Sequence, residues 1–494
     1  MNILGISAGY HDAAATVINS SGDILFASHS ERYSKIKNDP NICPLLIREL
    51  QKYNPIDTVA YYERPIAKQF RQLYSGQGIE WNKLSVKKIV HDQIGEAKWM
   101  DVKHYKNYNH HLSHAAAGFQ TSIFDKATVV VIDAIGEWDT ISIWGAEYIN
   151  GKAVYKRLWR QTYPNSIGLF YSAMTQRVGL TPNEEEYILM GMSAYGQPNC
   201  VGLITSQLIE NIKDSEFKHN LHTGIDQNDF MQFSSMDIAN STQVVTETLI
   251  YNVMQRAKDL NWSTNLVYMG GVALNCLANR KLGEYFEQIW IMPNPGDAGS
   301  SLGAAALAHG GRINWSSAYL GYNISGAYPV DNVVDELLTK QIVGVASGHA
   351  EFGPRALGNR SLLGDPRGLH IKDKINDIKK RQQFRPFAPV ILEEYVDQYF
   401  IMPGGFSNNR YMQSVCHCRN PELFPAIVHI DGTSRVQTVP KDGSGIRRVL
   451  EKWFSITGCP MLLNTSLNIR GEPMVNDRND AIRFEERYNV KVCS

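Results

Sequence analysis

Two stretches of this chain repeat one order of elements, and that repetition narrows the architectures open to it. NILGISAGYHDAAATVINSSGDILFASHSE, at the N-terminal end, is an apolar run, a polar glycine-containing turn, a second apolar run, a Ser-Gly-Asp turn and a third run. ATVVVIDAIGEWDTISIWGAEYINGKAVYKRLW follows the same order, with Asp133 and Gly136 at its first turn and Asn150-Gly151 at its second. Apolar runs rich in β-branched residues, separated by such turns, read as strands joined in a meander. A meander used twice, with helical stretches between and after it, predicts two similar α/β lobes facing each other across a cleft. Clefts of that kind are where ligands bind.

At 494 residues the chain exceeds what one core organises, so two or three structural units are expected. Its 43% hydrophobic content belongs to a globular protein and excludes a disordered or fibrous one. Forty-nine basic residues balance forty-nine acidic ones, so no whole-chain field draws it to nucleic acid or to an anionic membrane. A local basic groove would escape that count. The opening MNILGISAGYHD has no basic segment followed by a long apolar core. No stretch approaches the ~18 apolar residues of a membrane span. A cytoplasmic location without a membrane partner is therefore expected, and the oligomeric state is left open. Seven scattered cysteines suit reduced thiols. Cys416-His417-Cys418 reads as a strand with both cysteines on one face, in preference to a metal site.

In QVVTETLIYNVMQRAKDL, Val245, Leu249, Val253, Ala257 and Leu260 fall on one face of an amphipathic helix. NLVYMGGVALNCLANRKL then runs from a strand through Gly270-Gly271 into a helix that includes Asn275, and IMPNPGDAGSSLGAAALAH repeats that path. Such turns let backbone amides approach an anion, although strand-to-helix corners without nucleotides carry glycine too. The Gly-, Ser-, Tyr- and Asn-rich stretch 310–330 reads as a connection, giving domains 1–335 and 336–494. In the latter, QIVGVASGHAEFGPRALGNRSLLGDPR is a strand leading into an arginine-bearing turn. INDIKKRQQFRPFAP, PAIVHIDGTSRVQTV and PMLLNTSLNIRGEPMV read as strand-rich pieces of a second α/β domain.

The sharpest chemical signal is NHHLSHAAAGF. His110 and His114 are four apart in a helical stretch, so their rings leave one face with the spacing a metal needs, though such pairs also occur on ordinary helix surfaces. Asp133 ends the run TVVVI and Asp297 sits in PGDAG, both where strands deliver side chains to a cleft. Two imidazoles and two carboxylates suit iron, manganese or zinc better than calcium. His11, in the first polar turn, is either a general base for a hydroxyl or a turn residue. Lys35 and Lys37 are phosphate contacts or a solvated charge run. Arg355, Arg360, Lys379, Arg381, Arg385 and Arg435 suit an acyl phosphate or a nucleotide if they converge. Gly353 and Gly358 flank the charges of GPRALGNRS, with Pro354 stiffening the loop.

In this order GYHDAAAT, ERYSKIKND, HHLSHAAAGF, VVVIDAIGEWDT, EYILMGMSAYG, GGVALNCLAN, NPGDAGSSLGAAA, FGPRALGNRSLLGDPR, FRPFAP, HIDGTSRVQTV and LLNTSLN resemble the NodU/CmcH carbamoyltransferase family over nearly the whole chain. The resemblance implies a two-lobed actin/sugar-kinase-like N-terminal domain, similar to the tRNA threonylcarbamoyl-transferring domain, and a YrdC-like α/β C-terminal domain. It implies that carbamoyl phosphate and ATP form carbamoyl-adenylate in the second domain. An acceptor hydroxyl then attacks the carbamoyl carbon in the first, and AMP leaves. Carried over to this sequence, His110, His114, Asp133 and Asp297 match ligands of a divalent metal, ferrous iron before manganese or zinc. His11 matches the transfer-site histidine and Lys37 a carbamoyl-nucleotide contact. Arg355, Arg360, Arg381 and Arg435 match the basic pocket, with Lys379 or Lys380 beside them, and Gly270, Gly271 and Asn275 the nucleotide-facing turn.

His29-Ser30-Glu31-Arg32 and Lys379-Lys380-Arg381-Gln382 depart from the family's usual Glu-Glu-Glu-Arg and Lys-x-Arg-Glu, so the acceptor stays open among small molecules, sugars, nucleosides and hydroxymethylated bases. The rival readings are a small-molecule kinase of the same superfamily and a non-enzymatic actin-like nucleotide switch.

Overall fold

The computed structural model describes residues 2–95, 100 and 102–494. The chain forms two compact units, Met1–Ser30 with Asn38–Ser316, and Glu31–Lys37 with Ser317–Ser494. The division after Ser316 precedes the expected 335, because part of the supposed connection is structured. Tyr319–Ile324 is a strand of the second unit, paired antiparallel with Gly348–Glu351. Its Gly, Tyr and Asn content hid a short two-stranded ribbon.

The first unit contains the expected duplication. In one sheet the meander Asn2–Ser7, Ala14–Asn19 and Ile24–His29 pairs antiparallel, and Ile56–Tyr61 and His104–Asn107 add in parallel beside Asn2–Ser7. In the other, Lys126–Gly136, Asp139–Ile149 and Lys152–Thr162 form the meander, and Asn265–Met269 and Gln288–Trp290 add in parallel beside Lys126–Gly136. Both sheets thus have their strands in one order, as the actin/sugar-kinase-like expectation requires. Asn150 and Gly151 both take positive φ, the tight turn such a hairpin favours. The Ser235–Asp259 helix buries Val245, Leu249, Val253 and Ala257, but Leu260 is its C-cap and is exposed. The apolar stripe ends one turn before the sequence period does.

Each set of five strands is followed by a buried helix, His110–Phe119 after the first and Ser300–His309 after the second. These helices cross at Gly303, where a Cβ would lie 1.8 Å from the Ser113 carbonyl oxygen. Runs of alanine and glycine in both sequences permit that approach. Asn109 caps the earlier helix by accepting from the Leu112 amide.

The second unit is a mixed six-stranded sheet in the order Gln437–Val439, Ala388–Leu392, Met461–Ser466, Arg360–Gly364, Ile342–Ala346, Val492–Cys493. Val333, Leu337, Ile375, Val449, Leu450 and Trp453 from flanking helices build its core. INDIKKRQQFRPFAP, read as strand-rich, opens instead as the end of the Leu369–Ile378 helix, whose Ile371 and Ile375 face inward at helical spacing. The excursion Glu31–Lys37 is anchored here. Arg32 donates to the Gly353 carbonyl, and Lys35 bonds both the Arg32 carbonyl and the Asp480 carboxylate. All seven cysteines are free. Among the described residues no helix is long and apolar enough to cross a membrane.

The Gly303 crossing makes a signed prediction. Gly303→Ala gains about 1 kcal/mol of helix propensity. It also drives a methyl into a backbone carbonyl that has no flexible side chain to yield, an overpacking that costs about 1–3 kcal/mol and often more at such overlap. Urea denaturation should show a net loss of stability. A variant as stable as wild type would place the helices farther apart than described.

Candidate active site

Four side chains of the first unit converge. His110 and His114 leave one face of their helix, Asp133 lies near the end of its strand, and Asp297 opens a single turn before Ser300–His309. The strand register shifts between Ile132 and Gly136, an irregularity that frees Asp133 from the ladder and turns it toward the histidines. His110 Nε2 lies 3.2 Å from Asp133 Oδ2, 3.2 Å from Asp297 Oδ1 and 3.1 Å from His114 Nε2. His114 Nε2 is 3.4 Å from Asp133 Oδ2 and 3.2 Å from Asp297 Oδ1. All four residues are buried.

The donor set fits a metal ion. These five separations are 3.1–3.4 Å and all the donor atoms lie within 4.8 Å of one another, so one cation can reach imidazole nitrogens and carboxylate oxygens together. Burial opposes every charge in the cluster, yet mutual attraction outweighs it. His110 is raised well above and His114 above the ordinary imidazole value, while Asp133 and Asp297 are depressed. Two carboxylates this close stay ionised only with positive charge between them, supplied by protons on the imidazoles or by a cation.

The surroundings orient the ligands. Gly271 donates its amide to Asp133 Oδ1 at 3.2 Å. Gly270 sits at φ +91° with a Cβ position 2.2 Å from the Ile132 carbonyl, so only glycine fits. The Gly-Gly turn, expected to face a nucleotide, therefore holds a ligand carboxylate. Asn275 likewise has its amide occupied, capping a short helix through Ala278 and exchanging two 3.0 Å hydrogen bonds with Gln243.

Glu137 lies within the quoted segment VVVIDAIGEWDT but was not singled out from the sequence. Buried in the turn after Asp133, it accepts from the His110 amide, the Arg64 amide and guanidinium, and the Asn109 side chain, which fixes the start of the histidine helix. Glu63 also escaped the sequence reading. Its Oε2 is 3.7 Å from His110 Nδ1 and its Oε1 2.6 Å from Lys68 Nζ.

His11, read as a general base or a turn residue, lies beside the cluster. Its Nε2 faces Asp297 Oδ2 at 3.7 Å and its Nδ1 meets Asp12 at 3.2 Å. Burial works to lower its pKa, but the Asp12 hydrogen bond and the carboxylates of Asp297, Asp12 and Asp133 raise it to about 9. Lys37 belongs to the other unit, where it pairs with Glu31 at 3.4 Å and is exposed.

The basic residues of the second unit divide by what occupies their donors. Arg360 is fully buried and gives its guanidinium to five backbone carbonyls, those of Asn476, Ser347, Gly348, Asn359 and Tyr322, at 2.8–3.2 Å. Lys379, also buried, donates to Ser466 and Asn468. Both were expected in the anion pocket; here Lys379 gives its ammonium to Ser466 and Asn468, and Arg360 gives Nε, Nη1 and Nη2 to backbone carbonyls, so both tie loops of the fold together. Arg381 bonds Asn376 and Pro386 and lies 4.1 Å over the Phe387 ring. Arg435 differs in being half-buried with no hydrogen-bond partner on its buried Nε. Its strand is stitched to the loop of half-buried Arg355, since Gln437 donates to the Leu357 carbonyl at 2.9 Å and accepts from Asn464, which also donates to Ala356. Arg355 and Arg435 are thus carried on adjoining segments.

Residues 41–306 match the carbamoyltransferase N-terminus family model, and residues 334–493 the carbamoyltransferase C-terminus model. The chain is 33% identical to uncharacterized protein sll1178 of Synechocystis sp., over 98% of this chain and 94% of that protein. It is 30% identical to nodulation protein NolO of Bradyrhizobium diazoefficiens, over 76% of this chain and 75% of that one. It is 28% identical to nodulation protein NolNO of Sinorhizobium fredii, over 96% and 76%. Among solved structures, T. kodakarensis HypF aligns over 62% of this chain and 47% of its own at 13% identity. Its TM-score of 0.34 is too low to carry an argument.

Two measurements test this assignment of roles. Purified protein reconstituted anaerobically with iron, manganese or zinc should bind one equivalent by elemental analysis, and His110→Ala/His114→Ala should bind none. A double variant that binds as wild type does would remove these residues from the ligand set. In the second unit, Arg360→Ala should lose more than about 3 kcal/mol of stability or fail to fold, since it strands buried carbonyls. Arg435→Ala should melt as wild type does, and equal losses would undo the division.

Proposed function

Because this chain belongs to the carbamoyltransferase family and is accordingly an enzyme of carbamoyl transfer, we propose that it forms carbamoyl-adenylate from carbamoyl phosphate and ATP and passes the carbamoyl group to an acceptor hydroxyl. The observation that carries this reading is the convergence of His110, His114, Asp133 and Asp297 with His11 against Asp297 Oδ2, in a chain whose two halves match the two halves of the family.

Formation of the adenylate is assigned to the second unit. The substrates are anions, and Arg435, whose Nε is unpartnered, together with the neighbouring loop of Arg355, supplies guanidinium donors for them. Carbamoyl phosphate gives its phosphoryl group to water as inorganic phosphate, and an oxygen of the resulting carbamate bonds the α-phosphorus of ATP as the bond to the leaving pyrophosphate breaks. Arg360 and Lys379 act indirectly, by fixing the loops on which those donors sit.

Transfer is assigned to the first unit. The acceptor oxygen bonds the carbamoyl carbon, the bond from that carbon to the AMP oxygen breaks, and the hydroxyl proton must leave as the new bond forms. A divalent cation held by His110, His114, Asp133 and Asp297, iron by family resemblance, would supply Lewis-acid polarisation. His11 stands beside Asp297 with Asp12 fixing its ring through Nδ1; the carboxylates that raise it to about 9 keep it protonated without a cation, and a dication taking up the charge of Asp297 and Asp133 would remove part of that pull, so that Nε2 could hold the hydroxyl proton. Burial of the cluster keeps competing water from these groups.

The test uses ATP, labelled carbamoyl phosphate and pooled hydroxyl acceptors, with pyrophosphate release and mass spectrometry as separate readouts. Arg435→Ala should depress carbamoyl-phosphate-dependent pyrophosphate release by about one to two decades, the effect of a lost charge-assisted contact of ~1.5–3 kcal/mol. Unchanged release would move the first step elsewhere. His11→Ala, with an unaltered melting temperature, should keep pyrophosphate release and lose transfer by about 10²–10⁴-fold. Parallel loss of both steps, or no loss of transfer, would remove His11 from the chemistry.

A further inference from the structure

His110 presents Nε2 to the cluster and is left with a buried Nδ1 that has no hydrogen-bond partner within bonding distance. An imidazole that gives its Nε2 lone pair to a cation must carry its proton on Nδ1, and a buried N–H without an acceptor costs about 1–3 kcal/mol. The group facing that nitrogen is the Glu63 carboxylate, with Oε2 at 3.7 Å, less than 1 Å from full hydrogen-bond distance. Glu63 is itself buried, and its other oxygen is fixed by Lys68 Nζ at 2.6 Å and approached by the Tyr61 hydroxyl at 3.5 Å. Oε2 is thereby the oxygen left to meet the imidazole. The Tyr62 ring packs on His110 at 5.1 Å, and the Tyr62 carbonyl accepts from Ser113 Oγ, so the segment bearing Glu63 is pinned to the histidine helix.

Charge points the same way. Asp133 and Asp297 match a dication between two neutral imidazoles, and Glu63 would be a surplus negative charge were Lys68 not against it with little exposure of either side chain. The ion pair leaves a carboxylate that accepts a proton without adding net charge to the site. His114 has no counterpart, for its Nδ1 is also buried and unpartnered, and among the described residues no carboxylate pairs with it. Resting on the metal reading of the four-residue cluster, we propose that Glu63 is a positioning residue for the metal centre, accepting the Nδ1 proton of His110 and so fixing the tautomer and ring angle with which His110 binds a divalent cation.

The probe is Co2+ bound to the purified full-length protein, its dissociation constant measured by chelator competition and its coordination by visible absorbance. Loss of such an outer partner typically weakens metal binding about 10–100-fold. Glu63→Gln should show that loss while the metal-free protein melts as wild type does. Lys68→Gln breaks the ion pair but leaves the acceptor, so it should retain most of the affinity. A role limited to the Glu63–Lys68 pair would instead weaken both variants alike. Should Glu63→Gln fail to fold, Glu63→Asp, which withdraws the carboxylate by one methylene, should weaken Co2+ binding in its place. Wild-type affinity in the folded Glu63 variant, or matching losses in the Glu63 and Lys68 variants, would overturn the proposal and leave the metal site standing. Wild-type protein that takes up no Co2+ would overturn the metal reading itself.

Discussion

Four buried side chains whose donor atoms lie within 4.8 Å of one another are an unusual demand on a fold, because two carboxylates and two imidazoles must leave water together. Attraction between them outweighs desolvation only at the short separations seen here, and those separations depend on how closely two helices approach. The Gly303 crossing sets that approach. A side chain larger than hydrogen there would push His114 away from Asp297, so the glycine- and alanine-rich helices serve the electrostatics as much as the packing. Glu137 secures the other end by accepting the His110 amide, and Gly271 secures Asp133, so these two residues are each held by a group that does not face the centre.

The second unit uses its cations in two opposite ways. Arg360 gives each of its three nitrogens to backbone carbonyls, and burial pushes it down to about 10, still far above neutrality. It is a charged clamp on the strands and loops it touches. Arg435 lies on a segment tied to the Arg355 loop yet keeps an unpartnered buried nitrogen, the condition of a group whose partner arrives with a ligand. Residue type alone does not distinguish the two, since both are arginines in Gly- or Ser-bounded turns.

Both meanders, the histidine helix and the shared face of His110 and His114 were legible because they rest on local period and on spacing of four. What was not legible rests on contacts distant in sequence. Glu63 sits in YYERPIAK, a segment with no motif, and gains its meaning only from a histidine helix that begins far along the chain. Gly270-Gly271 carried a true signal of close backbone approach, and the groups approached are the Ile132 backbone and the Asp133 carboxylate. Arg360 and Lys379 looked like anion contacts because sequence displays charge without displaying the carbonyls that absorb it. The unit boundary was displaced by the Tyr319–Ile324 ribbon for a related reason, as its partner strand lies beyond the apparent connection.

The duplication explains why the site residues fall where they do. His11 follows the first strand of the first sheet, and Asp133 lies at the end of the first strand of the second. His110 and His114 open the helix after the fifth strand of the first set, and Asp297 opens the turn and helix after the fifth strand of the second. Two topological positions, each used twice, supply every side chain of the cluster and the histidine beside it. Strand ends and following helix starts of an open α/β sheet are where ligands collect, and pairing two such sheets doubles the number of side chains delivered to one point. A single sheet of this order offers its strand-end group and its helix start from one side only. The repeated sheet offers both from two sides, so nitrogen ligands from one repeat can meet oxygen ligands from the other without any long loop reaching across.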